Sequence, residues 1–315
     1  MRQIPAASHC GLRGASLTCG MAVRLLRIHL DPEMTKRATG GHFNFVDKIR
    51  NAAASRGWGY EIAPETDEPP ERFVYALHHM SGPRHKRVKI FRRTYYYPFW
   101  HIEPEPQRWR WPVASASFSP NQIDTDEARN FIHSLRKQNL PGISPVAPSH
   151  VLIPLQRELL QARSFQTMSP LAMVEAVAKT GKRAIATLHP NGDYSADEMA
   201  ALEALSARYP NLTVGGNSRE LLAGAEYVAT QNSAVAMDAY LLARPVVLFA
   251  QIDFHHIALN VADMGVEKAL DHAPEHKAHY AKYLFWLLRE QAIDAMAPTA
   301  ELRILDALKK GGWPI

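Results

Sequence analysis

The sequence predicts an α/β protein with two domains. In the second half of the chain, short apolar runs alternate with amphipathic stretches of helical periodicity, which is typical of βαβ units around a parallel sheet. The first half also starts with a strand, a loop and a helix. The chain has 315 residues, which is enough for two domains of ordinary size. We place the linker between them at residues 143–149.

The bulk composition excludes several classes of protein. Both cysteines, Cys10 and Cys19, fall in the first 20 residues, so no disulfide framework holds the fold together, which suits a reducing cytoplasm. No run of apolar residues approaches the roughly 18 to 20 that are needed to cross a bilayer. Residues 1–20 are small, rich in glycine and serine, and lack an apolar segment, so we interpret them as a start-site extension or a disordered leader rather than a secretory signal.

Residues 21–148 form the predicted N-terminal domain. A strand at Val23–Leu30 leads through a turn-rich loop into a helix at Phe43–Arg56, whose apolar positions repeat with helical spacing. The loop ends in Gly40, Gly41 and His42. Paired glycines before a helix allow a ligand to approach the backbone, although two glycines in a loop are also common. Further strands are predicted at residues 60–63, 73–78 and 88–93, and a helix at 125–138.

Two segments of this half have an unusual composition. The Arg84–Arg93 strip holds much of the excess of 36 Lys and Arg over 31 Asp and Glu. Such a strip is either a solvated basic face or a surface for a membrane or a polyanion. The Tyr95–Trp111 segment is rich in aromatic residues and prolines, and we predict no regular element there. Its rings fit either a sugar-binding surface or a packed domain edge.

Residues 149–275 form the second predicted domain, and residues 276–315 form helices that close the chain. Two Rossmann-like domains facing a cleft, with C-terminal helices closing the chain, describe the GT-B architecture. The predicted elements are strands at residues 151–155, 183–188, 212–214, 226–230 and 245–250, and helices at residues 170–180, 196–209, 218–223, 234–243, 275–295 and 299–310.

Two polar motifs follow strands of the second domain. His189 and Pro190 come after one strand, while Asn232 and Ser233 join a later strand to the next helix. The carboxyl ends of strands in an open α/β sheet bind ligands, and a helix N-terminus offers free N–H groups to an anion. The two motifs therefore indicate a nucleotide-phosphate site. Each also has a structural interpretation, since Ser233 suits an N-cap and His189 suits a strand-end turn.

These motifs belong to an ordered set that resembles a known family. The set is similar in order and spacing to the capsule polysaccharide biosynthesis family, whose members include the Kdo transferases of Gram-negative capsule assembly. The likeness covers roughly residues 85–255, and no single piece of it is specific. Its pieces are Tyr97–Trp100, Ile153–Gln156, Arg163–Phe165, Leu188–Pro190, Asn232–Ser233, Asp238–Ala239 and Arg244–Val247.

The resemblance implies a GT-B glycosyltransferase that needs no metal or other cofactor and uses a CMP-activated 3-deoxy sugar acid, such as Kdo, as its donor. His189, next to Pro190, would contact or protonate the leaving phosphate, while Asn232 and Ser233 would bind it. Asp238 stands where a further nucleotide contact is expected. These five residues therefore make up the nucleotide site that the resemblance implies.

One position departs from the family pattern. Members commonly place an aspartate a few residues after the Pro-Leu-Gln element, where this chain has Leu159 and Leu160. Glu158 is the only acid nearby, so it is the candidate acid or base catalyst. Another acid in its place, or a partial loss of activity, is the alternative.

We also predict partners and a location. The N-terminal domain would hold the acceptor, a glycan or a lipid-linked one, with Gly40, Gly41 and His42 near the acceptor or the donor. The protein would be cytoplasmic, with peripheral association at the inner membrane through the Arg84–Arg93 strip. The alternatives are a GT-B enzyme that uses another nucleotide sugar, either a UDP-sugar transferase or an epimerase, and a non-catalytic module that binds polyanions.

Metal and nucleic-acid sites are not predicted. The pairs His78-His79 and His255-His256 are adjacent residues, whose side chains point to opposite faces of a strand, and no cysteine stands near them. The sequence has no nucleic-acid-binding motif, and its basic strip is short.

Overall fold

The computed structural model describes residues 24–315, which contain two six-stranded sheets. The predicted leader at residues 1–20 lies outside the described residues. The strands are β1 Leu25–Leu30, β2 Gly59–Pro64, β3 Val74–His79, β4 Val88–Arg93, β5 Phe99–Glu103, β6 His150–Pro154, β7 Ala184–Thr187, β8 Leu212–Val214, β9 Ala225–Thr230, β10 Val246–Leu248, β11 Leu259–Asn260 and β12 Ile293–Asp294. The α-helices are α1 Pro32–Thr39, α2 Asn44–Ala54, α3 Pro112–Ser115, α4 Thr125–Asn139, α5 Pro170–Ala178, α6 Ala196–Arg208, α7 Ser218–Leu221, α8 Val235–Leu241, α9 Val261–Met264, α10 Val266–His272, α11 Tyr280–Phe285 and α12 Ala300–Lys310.

The N-terminal sheet has the strand order β12-β5-β4-β3-β1-β2. Strands β1 to β4 run parallel, whereas β5 pairs antiparallel with both β4 and β12. Helix α2 buries Phe45, Ile49 and Ala53 because these apolar side chains share one face of the helix. Since the four strands are parallel, the residues that follow β1, β3 and β4 lie at one edge of the sheet.

The C-terminal sheet has the order β11-β10-β9-β6-β7-β8, and all of its pairs are parallel. Every residue of β6 and β7 is buried, as is usual for a parallel sheet with helices on both faces. Each strand and helix that the sequence predicts between residues 151 and 250 is confirmed, with boundaries that differ by one or two residues. The residues that follow β6, β7, β9 and β10 therefore meet at one edge.

The predicted helix at residues 275–295 is wrong in part. This segment holds α11, a π-helical turn at Trp286–Gln291 and strand β12, which joins the N-terminal sheet. Residues 283–288 are all buried, so they form an apolar run without a polar face and give no sign of where a helix ends. The final predicted helix is confirmed as α12, which packs beside α2. The chain thus crosses back to the N-terminal domain.

Two N-terminal elements also differ from the prediction. Strand β5 lies in the proline-rich segment for which no regular element is predicted, and it forms because Pro98 and Pro104 stand immediately outside its ends. The loop after β1 contains α1. Asp31 is its N-cap and accepts the Met34 N–H at 2.8 Å, and Pro32 takes the first helical position, where no N–H is needed.

A shared apolar core joins the two domains. Buried aromatic rings from the segment around β5, such as Tyr96 and Trp111, belong to one cluster with Tyr240 of α8 and Tyr283 of α11. The junction is therefore packed like a domain interior. In residues 24–315, no helix combines the length and the apolar character that crossing a membrane requires.

Candidate functional site

A cleft of about 1050 Å³ lies between the carboxyl edges of the two sheets. From the N-terminal domain it is lined by Gly41 and His42, which follow α1. From the C-terminal domain it is lined by Gln156, which follows β6, and by Asn232 and Ala234, which follow β9. The structure therefore brings the predicted glycine loop and part of the predicted hydroxyl motif to the same cavity.

The lining of the cleft is basic. Among the described residues that line it, four arginines and two histidines are present and no aspartate or glutamate. Cations that face a shared space without a carboxylate attract anionic ligands, and arginine matches phosphate and carboxylate groups with paired N–H donors. The cationic and imidazole side chains are Arg37, His42, His79, Arg92, Arg93 and Arg108.

The two half-buried arginines are held in place by protein partners. Arg92 donates from Nη1 to the Pro106 carbonyl at 2.9 Å, and the Arg108 guanidinium stacks over the ring of Tyr95 at 4.5 Å from its centroid. Burial lowers the pKa of Arg92 to about 10, with a further lowering from nearby Arg108. Arg92 therefore stays charged at neutral pH. Both guanidinium groups are fixed cations rather than mobile ones.

A buried polar network ties the domains together beside these arginines. The Tyr95 hydroxyl donates to Asp253 Oδ1, and Asp253 has no exposed surface. Arg108 Nη1 lies 3.4 Å from the other oxygen of Asp253. Tyr95 follows β4 in the N-terminal domain and Asp253 follows β10 in the C-terminal domain, so the network joins the two domains beside the cleft.

The Gly40–His42 loop has the backbone that its glycines allow. Gly41 has a backbone φ of +71°, which residues other than glycine rarely adopt. A Cβ at Gly40 would lie 3.2 Å from the Lys36 carbonyl and 3.3 Å from His42 Cδ2. The loop thus places an exposed His42 at the cleft by passing close to α1.

Asn232 lines the cleft, whereas Ser233 does not. Ser233 is buried, and its hydroxyl accepts the Val235 N–H at 3.3 Å, in the first turn of α8. The N-cap of α8 is Ala234, so Ser233 bonds to the first helical residue from the position before the cap and is not itself the N-cap that the sequence suggests. Asn232 is half-buried and lines the same cleft as the arginines.

His189 and Pro190 lie at the correct edge of the sheet but outside the cleft lining. They follow β7, which is separated from β9 by β6, so the two strands that carry the motifs are about 10 Å apart. Both residues are exposed. His189 Nδ1 accepts the Asn191 N–H at 3.1 Å, and the His189 N–H donates to the Tyr194 hydroxyl at 2.8 Å. The imidazole is therefore pinned in a strand-end turn.

The two predicted acids also lie away from the cleft lining. Glu158 is exposed, has a φ of +62° and places Oε2 3.5 Å from Arg163 Nε. Asp238 is half-buried in α8 and accepts from the Tyr96 hydroxyl at 2.7 Å. Burial raises the pKa of Asp238, while the Tyr96 hydrogen bond lowers it. Asp238 thus lies at the junction of the two domains, where its partner is Tyr96.

His79 lies at the end of β3 and lines the cleft. In the sequence it stands out only as one of the adjacent histidines His78 and His79, for which a metal site is not predicted. Its Nδ1 lies 3.9 Å from Asp31 Oδ2. Burial lowers the pKa of His79, although Asp31 raises it. Burial thus favours the neutral form of the ring. Within residues 24–315, no group of three or more His, Cys, Asp or Glu side chains has the geometry to hold a metal ion.

The Arg84–Arg93 strip does not form one surface. Arg84 and Lys86 are exposed before β4, Lys89 is buried within it, and Arg92 and Arg93 line the cleft at its end. A strand of this length separates its two ends by roughly 17–20 Å. Arg92 and Arg93 are the last two residues of β4, so they reach the cleft because β4 runs parallel to β3.

No protein-family model and no curated protein matches the chain, but solved structures do. The Thermosulfurimonas dismutans KpsC β-Kdo 2,7 transferase is 12% identical over 90% of this chain and 99% of that chain, with a TM-score of 0.50. The KpsC β-Kdo 2,4 transferase of the same organism is 10% identical over 82% and 88%, with a TM-score of 0.41. The wall teichoic acid polymerase TagF is 11% identical over 91% and 88%, with a TM-score of 0.30. The first likeness confirms the predicted GT-B fold.

Proposed function

We propose that this protein is a glycosyltransferase of surface-polysaccharide synthesis, which binds a nucleotide-activated sugar in the cleft and transfers the sugar to a glycan or lipid-linked acceptor. One observation carries the proposal, namely a cleft between two α/β domains that, among residues 24–315, is lined by four arginines and by no carboxylate. Transfer from a nucleotide sugar builds negative charge on the leaving phosphate, and preorganised cations stabilise that charge. A KpsC β-Kdo transferase of the same fold supports this choice of reaction.

The donor that fits best is a CMP-activated sugar acid of the Kdo type. Such a donor carries one phosphate and one sugar carboxylate, and the four arginines of the cleft supply enough cationic groups for both anions. Asn232 and Gln156 add polar side chains on the C-terminal side of the cleft. His189, whose Nε2 has no protein partner within the described chain, would donate to the phosphate from the adjacent turn.

The acceptor hydroxyl needs a proton acceptor, and the cleft lining offers imidazoles for this role. Glu158, the candidate that the sequence favours, faces solvent and Arg163 rather than the cleft. His79 and His42 line the cleft from the N-terminal domain, the side on which we place the acceptor. Burial favours the neutral form of His79, which is the form that can take a proton.

Nucleotide binding tests the proposal most directly. Calorimetry with CMP should detect binding, and Arg93→Gln should weaken it at least tenfold, since a charge-assisted hydrogen bond contributes about 1.5–3 kcal/mol and 1.4 kcal/mol is tenfold. Arg84→Gln is the matched control, because Arg84 is exposed before the same strand and does not line the cleft. Equal affinities of the two variants would refute the placement of the nucleotide.

Transfer itself is tested by incubating the protein with CMP-Kdo and a lipid-linked acceptor, followed by mass spectrometry of the product. An increase in the mass of the acceptor by one Kdo residue supports the proposal. Binding of UDP in preference to CMP would instead favour another nucleotide-sugar enzyme.

The same basic lining also suits a non-catalytic module that binds a polyanion. Such a module would show no heat with CMP and would bind an acidic glycan with a steep dependence on salt concentration, because counterions are released. Titration of CMP and of an acidic glycan at two salt concentrations separates the two functions.

A further inference from the structure

A second cavity, of about 470 Å³, lies at the opposite end of β4 and β5 from the cleft. It opens between these strands and helix α12, and it shares no lining residue with the cleft. Its volume falls within the range of small-molecule sites, about 300–1000 Å³. Nothing in the proposed transfer reaction uses it.

The floor of this cavity contains buried ionisable side chains. Lys89 of β4 is 6% exposed, and His101 and Glu103 of β5 are 5% and 8% exposed. His101 Nδ1 lies at hydrogen-bond distance from Glu103 Oε1, at 3.0 Å. The other ring nitrogen of His101 has no partner within the described chain. Lys89 likewise has no ion pair within 4.0 Å in residues 24–315.

An unpaired amine is costly to bury, because the charged form loses its hydration. Burial lowers the pKa of Lys89, and Glu103 only partly opposes this effect. The amine has little freedom to move outward, since a Cβ at Gly311 would lie 2.8 Å from Nζ. The sheet and the end of α12 therefore hold an amine that makes no ion pair within the described residues, although the carboxylates of Glu103 and Asp306 line the same cavity.

The rim of the cavity adds two cations and one carboxylate, that of Asp306, so the cations outnumber the carboxylate at the rim. Arg303 and Lys310 of α12 stand seven residues apart, on one face of the helix. Arg303 is fixed by donating to the Arg289 and Glu290 carbonyls. Apolar side chains such as Pro112 form the walls.

We propose that this cavity binds a small organic anion, whose carboxylate or phosphate group lies on Lys89 and Arg303 and whose body packs on the proline-lined wall. The ligand supplies the ion pair that Lys89 lacks within the described residues. Lys310 adds long-range attraction at the mouth. The site is separate from the transfer site, so it stands whether or not the chain is a glycosyltransferase.

Calorimetry with glucose 6-phosphate and with glucuronate tests the site and separates the two anion types. Lys89→Met, which keeps the length of the side chain, should weaken binding of the preferred probe at least tenfold. Lys309→Gln on the same helix turn should leave it unchanged, since Lys309 is exposed and does not line the cavity. Arg93→Gln should remove only binding that occurs in the cleft. An unchanged isotherm for Lys89→Met would overturn the proposal.

A second measurement uses the unaltered protein and so does not depend on how the variants fold. Lysines are reductively methylated with and without the preferred probe, and the extent of modification at each is read by mass spectrometry. We expect the probe to slow modification of Lys89 at least fivefold and to leave Lys309 unaffected. Equal modification of Lys89 with and without either probe would show that no anion occupies the cavity.

Discussion

Replacing Tyr96 by phenylalanine tests whether Asp238 serves the domain junction rather than the nucleotide. Tyr96 lies between β4 and β5, and its hydroxyl donates to Asp238 Oδ1 at 2.7 Å across the junction. The ring of Tyr96 is buried in the shared core, so the substitution removes one oxygen and leaves the packing of the ring in place. Any loss of stability then reports on the hydrogen bond.

The size of the effect follows from the charge on Asp238. A hydrogen bond to a charged group contributes about 1.5–3 kcal/mol. Burial raises the folded-state pKa of Asp238 above its ordinary value of 3.8. At pH values between the unfolded-state and the folded-state pKa, the folded protein holds a proton that the unfolded chain releases. The free energy of unfolding therefore falls as pH rises through this range. Loss of the Tyr96 donor raises the folded-state pKa of Asp238 further, so the pH range over which stability falls extends to higher pH. The destabilisation should therefore be larger at about pH 7.5 than at about pH 5.

Urea unfolding at the two pH values, followed by tryptophan fluorescence, measures this difference. Tyr97→Phe is the matched control, because Tyr97 is exposed and, within residues 24–315, its hydroxyl bonds only to the Met296 sulfur, at 3.3 Å. We expect the control to change the free energy of unfolding by less than about 0.5 kcal/mol. Equal effects of the two substitutions, or a Tyr96→Phe effect that grows as pH falls, would refute the reasoning. A tenfold loss of CMP affinity in Asp238→Asn would restore Asp238 to the nucleotide site.

Three further predictions concern other residues of the two domains. His189→Ala should lower turnover by about 10²–10³-fold if the imidazole stabilises the leaving phosphate, and full transferase activity in this variant would remove that role. His79→Gln should abolish the acid limb of the pH–rate profile, which we place below pH 6.5 because burial lowers the pKa of His79; an unchanged profile would favour His42. Gly82→Ala should destabilise the fold by about 1–3 kcal/mol in urea, because the new Cβ would lie 2.5 Å from the buried ring of His78; a midpoint equal to that of the parent would contradict this packing.

The C-terminal sheet could be predicted because each of its strands is marked by a pattern within a short stretch of sequence. A strand such as β6 is apolar at nearly every position and is bounded by turn residues, so its position and its buried state follow from a short stretch of sequence. The parallel arrangement then places Gln156, His189 and Asn232 at one edge. The sequence could not tell which of them face the cleft, because that depends on loop paths such as the turn that pins His189.

The N-terminal half of the site could not be predicted for a different reason. Arg92 and Arg93 belong to a run of basic residues, and a charge run alone suggests a surface strip. Their role depends on strand direction, since β4 runs parallel to β3 and delivers only its carboxyl end to the cleft. The partner of Asp238 was equally hidden, because Tyr96 lies 142 residues away in sequence.

The four arginines of the cleft fall into two pairs with different physical consequences. Arg92 and Arg108 are half-buried and fixed, by the Pro106 carbonyl and by Asp253, so their charges are in place before a ligand arrives. Cations of this kind stabilise charge that develops during a reaction, because they need no reorganisation. Arg37 and Arg93 are exposed and have no ion pair within residues 24–315, so their side chains adjust to the ligand and attract it from solution. The fixed pair should therefore govern turnover, and the exposed pair should govern affinity and its dependence on salt.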